Sequence, residues 1–168
     1  LLDSPIISHL IQKLETSNEK IKFTRVDADV VDKLIQKDEK EVSKLNDKEK
    51  EKLKNIVEET VPKEKYTVQL EAIDSNSAPF VITLPEFMRR MKEMQQSGGN
   101  GMFGNMPEMY NLIVNVNNPI CSEILNSKSK TKKERLINQS LDLAKLSQNL
   151  LKGEELTSFI KRSFDLIK

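Results

Sequence analysis

The stretch that decides the fold is residues 131–168, TKKERLINQSLDLAKLSQNLLKGEELTSFIKRSFDLIK. Thr131 and Glu134 have the spacing of a capping box, which predicts that a helix begins at Thr131. Gly153 predicts a sharp break between this helix and a second one. Counted at about 100° per residue, the apolar side chains of the first helix fill an arc of roughly 220°, and those of the second helix roughly 160°.

Both arcs are wider than the stripe of a little over ~100° that a helix packed on one layer needs. Either the rest of the chain covers both helices, or a second copy of the chain does. Two such hairpins related by a two-fold axis form a four-helix bundle, which is the interpretation we favour. The alternative is an ordinary core helix pair in a monomer. The side chains predicted to form the dimer interface are Leu136, Leu143, Leu146, Leu150, Leu156, Phe159, Ile160 and Phe164.

Composition narrows the class of protein. The chain has 168 residues and a net charge of +1, which gives no strong attraction to nucleic acid or to an anionic membrane. Its single cysteine, Cys121, excludes an internal disulfide and indicates a reducing, cytoplasmic compartment. No apolar run approaches the ~18 residues of a membrane helix, and no signal peptide is found. Because the chain begins Leu-Leu-Asp, we expect it to be a piece of a longer protein.

Residues 37–52 are almost continuously charged, with both signs mixed, which is typical of a solvated connector. We therefore predict a domain boundary near residue 42, with residues 1–41 forming the tail of a preceding domain and residues 42–168 a second domain. In the second domain, Asn46 and Glu49 predict a capping box for a helix that ends at Pro62.

Three strands are predicted in the second domain, at residues 66–72, 80–83 and 110–116, with the first two joined as a hairpin. Asn118-Pro119 predicts the start of a short helix, and residues 127–133 a basic loop. The predicted fold class is α+β, with a small three-stranded antiparallel sheet, flanking helices, and a C-terminal helix pair that forms a dimeric four-helix bundle.

A methionine-rich helix is predicted over residues 84–96, where Leu84, Phe87, Met88, Met91 and Met94 fall in an arc of roughly 120°. Methionine is flexible and lines surfaces that bind many targets. The alternative is a helix packed methionine-side on its own sheet. The glycine-rich stretch at 97–105, with Met102 and Phe103, favours an adaptable apolar surface over a packed core.

Other kinds of site are disfavoured. The stretch 99–104 fits G-x-G-x-x-G, but a helix precedes it and a strand follows, the reverse of a dinucleotide site. One histidine and one cysteine in different elements disfavour a metal cluster or a Cys/His nucleophile. The basic cluster at 128–135 has no interleaved aromatic residue, so we expect it to be a solvated surface and not a nucleic-acid site.

Taken in order, these motifs resemble one known family. The matching stretches are Phe87-Met88-x-x-Met91, the Gly/Met loop, Tyr110-Asn-Leu-Ile-Val-Asn-Val116, Asn117-Asn118-Pro119, Leu141-Asp-Leu-Ala144, Leu150-Leu-Lys-Gly153 and Phe159-Ile-Lys-Arg162. The ordered set is similar to the C-terminal part of the ninety-kilodalton heat-shock chaperones in their bacterial form. The family often has His-Pro where this chain has Asn118-Pro119.

The resemblance implies a homodimeric, ATP-driven chaperone, of which residues 1–41 are the end of the middle domain and residues 42–168 the dimerisation domain. It implies no cofactor and no enzymatic activity in this chain, because the family's ATP and Mg²⁺ site lies in another domain. It also implies partly unfolded client proteins as partners, with neither nucleic acid nor membrane. The implied client-binding residues are Phe87, Met88, Met91, Met94, Met102 and Phe103.

Overall fold

A computed structural model describes residues 6–18, 21, 23, 42–85, 87–88 and 109–167. The elements are helices α1 (Ile6–Ser17), α2 (Asp47–Thr60), α3 (Pro119–Asn126), α4 (Lys130–Ser147) and α5 (Gly153–Ile167), and strands β1 (Tyr66–Glu71), β2 (Phe80–Thr83) and β3 (Tyr110–Asn115). The backbone divides into two compact units: Leu1–Lys37 with Thr83–Met109, and Asp38–Ile82 with Tyr110–Lys168. We call the second one the larger unit. The domain boundary near residue 42 stays a prediction.

Helix α2 begins as its sequence predicts. The Asn46 side chain accepts a hydrogen bond from Glu49 N at 2.9 Å, and the Glu49 carboxylate accepts one from Asn46 N at 2.9 Å. This reciprocal pair confirms the predicted capping box and satisfies two backbone donors that the first turn leaves free. Leu53 and Val57, four residues apart on one face, are fully buried.

The sheet has the order β1-β3-β2, so β3 lies in the centre. Strand β1 pairs with β3 in parallel, with Tyr66 opposite Tyr110 and Glu71 opposite Asn115. The predicted antiparallel sheet with a β1–β2 hairpin is therefore wrong, although three strands and an α+β class are correct. The start of β2 lies beside the end of β3, because Asn115 N donates to Pro79 O at 2.8 Å.

The physical reason lies in the central strand. In β3 the run from Leu112 to Asn115 is buried on both faces, as is typical of a central strand in a parallel pair. Residues 72–109 are long enough for the crossover that a parallel connection needs. The alternation of apolar and polar residues in the sequence of β1 fits either direction of pairing, so it did not distinguish them.

One hydrophobic core holds the larger unit together, and helices α2, α3 and α4 pack around it with the sheet. Its buried members are Leu53, Val57, Val61, Tyr66, Val68, Phe80, Ile82, Leu112, Val114, Val116, Cys121, Ile124, Ile137, Leu141 and Ala144. Helix α3 starts as predicted, with Asn118 as its N-cap and Pro119 in the first turn.

The C-terminal helices differ from the prediction at three points. Helix α4 begins at Lys130 with Ser129 as its N-cap, so the Thr131 capping box is wrong and the basic loop is shorter than predicted. The break lies between Ser147, where α4 ends, and Gly153, the first residue of α5, whose φ of 58° bears out the predicted turn at this glycine. Asn149 also lies in the left-handed region, with φ at 58°, so the break begins four residues before the predicted glycine.

In the other unit, α1 leaves two large apolar side chains exposed, those of Leu10 and Leu14. The backbone continues past the helix with a hydrogen bond from Phe23 N to the Glu15 carboxylate at 2.9 Å. Most of the predicted methionine helix and the whole glycine-rich stretch lie outside the described residues, since residues 86 and 89–108 are not described.

Candidate dimerisation and client-contact surfaces

Helix α4 has an inner and an outer apolar side. Ile137, Leu141 and Ala144 follow a spacing of four and three residues, and all are buried in the core. Leu143 and Leu146 are turned away from that face and are 47% and 45% exposed. The helix therefore carries more apolar surface than its own unit covers.

Helix α5 is less buried than α4. Its side chains are described for residues 153–164. None of them is fully buried, and Leu156 and Phe159 are half-buried. Ile160 and Phe164, four residues apart and so on one face, are 44% and 63% exposed. Each helix of the hairpin thus leaves one apolar pair in solvent.

A polar seam joins α4 to α5. Gln139 Nε2 lies 3.3 Å from Ser163 Oγ, and Lys145 Nζ lies 3.3 Å from a Glu155 carboxylate oxygen. Between these contacts, the Arg162 guanidinium pairs with the Asp142 carboxylate. Residue numbers rise along α4 as they fall along α5, so the two helices run antiparallel.

Asp142 is the buried charge of this seam. Burial raises the pKa of its carboxyl, Arg162 and Lys145 lower that pKa in part, and Glu155 raises it. Lys145 Nζ lies 3.8 Å from Asp142 Oδ1 and, like Asp142, is largely shielded from solvent. The seam therefore fixes the position of α5 with charges whose burial is costly, and two cations offset part of that cost.

Tyr66, at the start of β1, belongs to the same electrostatic environment. Burial, together with the nearby carboxylates of Glu155 and Asp142, raises the pKa of its phenol to about 12. Its ring lies 6.1 Å from that of its register partner Tyr110. Tyr66 is therefore neutral at physiological pH and is no candidate for a proton-transfer group.

The eight residues predicted to form the dimer interface fall into two groups. Leu143, Leu146, Ile160 and Phe164 are exposed. The half-buried group consists of Leu136, Leu150, Leu156 and Phe159, of which the first two pack against the core. Their role in an interface stays a prediction.

Two of the predicted client-binding residues are described. Phe87 is 66% exposed, and Met88, beside it in a helical turn, is half-buried. Met91, Met94, Met102 and Phe103 lie outside the described residues.

A cluster of buried asparagines after β3 was missed by the sequence analysis, which considered only the cap at Asn118. Asn115 is fully buried; its Oδ1 accepts from Ile73 N and Asn117 N, and its Nδ2 donates to Asp74 O. The signal was present, because three asparagines directly follow or end an apolar strand. Buried amides of this kind must be hydrogen-bonded, so they mark places where segments join.

Among the described residues, no group of three or more His, Cys, Asp or Glu side chains is arranged to hold a metal ion. Cys121 is fully buried, and burial raises the pKa of its thiol to about 12. It therefore has no thiolate character at neutral pH. Nor does any helix of the described part combine the length and apolarity that crossing a bilayer requires.

Comparison with known proteins decides the relationship. No family model matches the chain. The protein named Chaperone protein HtpG from Bacteroides thetaiotaomicron is 30% identical over 235 aligned positions, which cover 99% of this chain and 34% of the relative. The chain is similar to the HtpG chaperones over nearly its whole length. The HtpG of Porphyromonas gingivalis is 32% identical over 87% of this chain and 22% of the relative.

These matches confirm the resemblance drawn from the ordered motifs. The chain spans about a third of the length of the Bacteroides thetaiotaomicron HtpG. The 235 aligned positions also exceed the 168 residues of the chain, so this HtpG carries additional residues within the aligned stretch.

Proposed function

We propose that this chain is the homodimerisation and client-contact region of an ATP-dependent molecular chaperone that assists protein folding. The observation that carries the proposal is the apolar pair left exposed on each helix of the α4–α5 hairpin, in a chain that matches HtpG chaperones over 99% of its length. In this proposal, ATP and Mg²⁺ bind to a part of the protein outside this chain, which is not itself an enzyme. The protein works in the cytoplasm on partly unfolded clients.

The dimer is built from two copies of the hairpin across a two-fold axis. Leu143 and Leu146 of one copy, with Ile160 and Phe164, meet the same residues of the other copy in a four-helix bundle. Burying a leucine or phenylalanine contributes roughly 1.5–3 kcal/mol, and the symmetric interface counts each residue twice. The bundle holds two arms together while domains outside this chain respond to nucleotide.

Sedimentation of the chain over a dilution series tests the dimer. Leu146→Glu, which places a charge at both copies of the position, should raise the dimer dissociation constant by roughly 100-fold or more, since two lost contacts of about 1.5 kcal/mol each amount to that factor. Asn138→Glu, at an exposed position of the same helix, is the matched control and should leave the constant unchanged. A wild-type chain that sediments as a monomer at high concentration contradicts the proposal.

A second candidate is a purely structural oligomerisation domain with no client-binding surface. The half-buried state of Met88 favours it, because a side chain that packs within its own domain is less available to a client. The two candidates differ at Phe87 and Met88, whose removal affects client affinity in the first and only folding stability in the second.

A further inference from the structure

The side-chain amide of Asn117 holds residues 42–44, which precede α2. Asn117 is 4% exposed. Its Oδ1 accepts a hydrogen bond from Lys44 N at 2.9 Å, and its Nδ2 donates one to Val42 O at 3.3 Å. One buried side chain thus satisfies a backbone donor and a backbone acceptor two residues apart, as the N–H and C=O of one residue do in a neighbouring parallel strand.

This contact needs an asparagine. The amide supplies one donor and one acceptor in one plane, whereas aspartate accepts without donating and alanine does neither. Because Asn117 is buried, an amide left without these partners loses its hydrogen bonds to water and gains none in return. The burial of the side chain therefore favours the attached state of residues 42–44.

Among the contacts between described residues, little else attaches this segment. Val42 is 83% exposed, so its side chain provides no apolar anchor. The Ser43 hydroxyl bonds within the segment, to the backbone of Leu45. Leu45, which packs against the core, is the next anchored residue.

We propose that Asn117 is a latch that fixes the point at which the preceding chain enters the larger unit. With the latch closed, the chain is fixed from Val42 onward; with it open, the first fixed residue is Leu45. Three released residues add about 10 Å of reach, at roughly 3.3–3.6 Å per extended residue. The latch therefore sets how tightly anything that precedes residue 42 is coupled to the helices and sheet that follow, whether or not the chain dimerises.

The other two asparagines bind different segments, which provides a matched control. Asn118 is 8% exposed, and its Nδ2 donates to Ser77 O at 2.9 Å while its Oδ1 caps α3 at Ile120 N. Asn118→Ala thus removes a buried amide of the same kind, three residues from the end of β3, without touching residues 42–44.

The test measures amide hydrogen exchange and the rate at which trypsin cleaves after Lys44 in the complete chain. Asn117→Ala should increase both rates at Lys44 by roughly tenfold or more, the effect of losing two net hydrogen bonds. The amides of Leu53 and Val57 in α2 serve as the internal reference for global unfolding and should change less. Asn118→Ala should affect residues 75–77 and leave Lys44 protected.

The latch is refuted if Asn117→Ala and Asn118→Ala accelerate cleavage after Lys44 equally, or if Lys44 and α2 lose protection in step. Should Asn117→Ala fail to fold, Asn117→Asp carries the test. It keeps the side-chain volume and the acceptor for Lys44 N but loses the donor to Val42 O. Residue 42 should therefore lose its attachment to the larger unit more than Lys44 does. Unchanged protection of residues 42–44 in that variant also refutes the latch.

Discussion

Asp142 fixes the position of α5 against α4, and its burial lowers the stability of the fold. The carboxylate is buried between α4 and α5 and pairs with Arg162 and Lys145, yet its pKa is raised, and burial is the largest cause. The folded chain therefore holds the proton more tightly than an unfolded chain does. Such a pair is better explained by the position it gives α5 than by the free energy it contributes.

The sign of the pH dependence follows. Because the folded pKa of Asp142 lies above its ordinary value of 3.8, this group makes the fold less stable as the pH rises from that value through the raised one. Asp142→Asn, which cannot ionise, should therefore gain stability relative to the wild type as the pH rises. Urea unfolding between pH 3 and 7 measures the difference.

The matched control for Asp142 is Glu134→Gln, which removes a carboxylate from the solvent side of the same helix, where it lies 3.9 Å from Lys130 Nζ. If the free energy of unfolding of the wild type instead rises relative to that of Asp142→Asn as the pH rises, the ion pair with Arg162 outweighs the cost of burial. Our interpretation of the seam is then wrong.

At the scale of elements, Asn149 ends α4 through backbone geometry. With φ at 58°, it allows Leu150 N to donate to Lys145 O at 2.8 Å and Asn149 N to Leu146 O at 3.0 Å. This is the Schellman arrangement, which satisfies the last carbonyl groups of a helix. Leu151 is then buried, so the turn also attaches the start of α5 to the larger unit.

Asn149→Ala should lower the free energy of unfolding by about 1 kcal/mol, because a Cβ without a local polar group disfavours the left-handed region. Asn149→Gly should leave it unchanged or raise it. Urea unfolding measures both, and Gln148→Ala, whose φ of −97° suits any residue, is the control. If all three variants lose the same free energy of unfolding, the stability does not depend on the left-handed conformation of Asn149.

Local patterns predicted the elements well and their assembly less well. The Asn46 capping box, Asn118-Pro119 and the bounds of β2 all follow from the few residues around them. The parallel pairing of β1 with β3 does not, because it depends on which strand lies in the centre. Asn149 was missed because asparagine adopts the left-handed conformation less often than glycine, whereas Gly153, which also adopts it, was predicted.

For the candidate sites too, the residues that belong to a local pattern were predicted and those with distant partners were not. Periodicity picked out the apolar residues of α4 and α5, of which the outer pairs Leu143/Leu146 and Ile160/Phe164 are exposed, while their role in an interface stays a prediction. Periodicity did not find Asp142 or Asn117, because a single polar residue has no periodic pattern. Their partners, Arg162 for Asp142 and Lys44 for Asn117, also lie far away along the chain.

At the scale of the whole molecule, the question is whether Phe87 and Met88 serve a client or their own fold. The double variant Phe87→Ser with Met88→Ser should weaken binding to reduced, carboxymethylated α-lactalbumin, a permanently unfolded chain, by about tenfold, since burying one such side chain contributes roughly 1.5–3 kcal/mol. Fluorescence anisotropy measures that affinity.

Val42→Ser, which removes an 83% exposed apolar side chain elsewhere, is the control and should leave the affinity unchanged. Because Phe87 is 66% exposed whereas Met88 is half-buried, the single variant Phe87→Ser should keep the urea midpoint of the wild type, and any lowering of the midpoint in the double variant should come from Met88. Unchanged affinity with a lowered midpoint would instead make these residues part of the core and favour the purely structural domain.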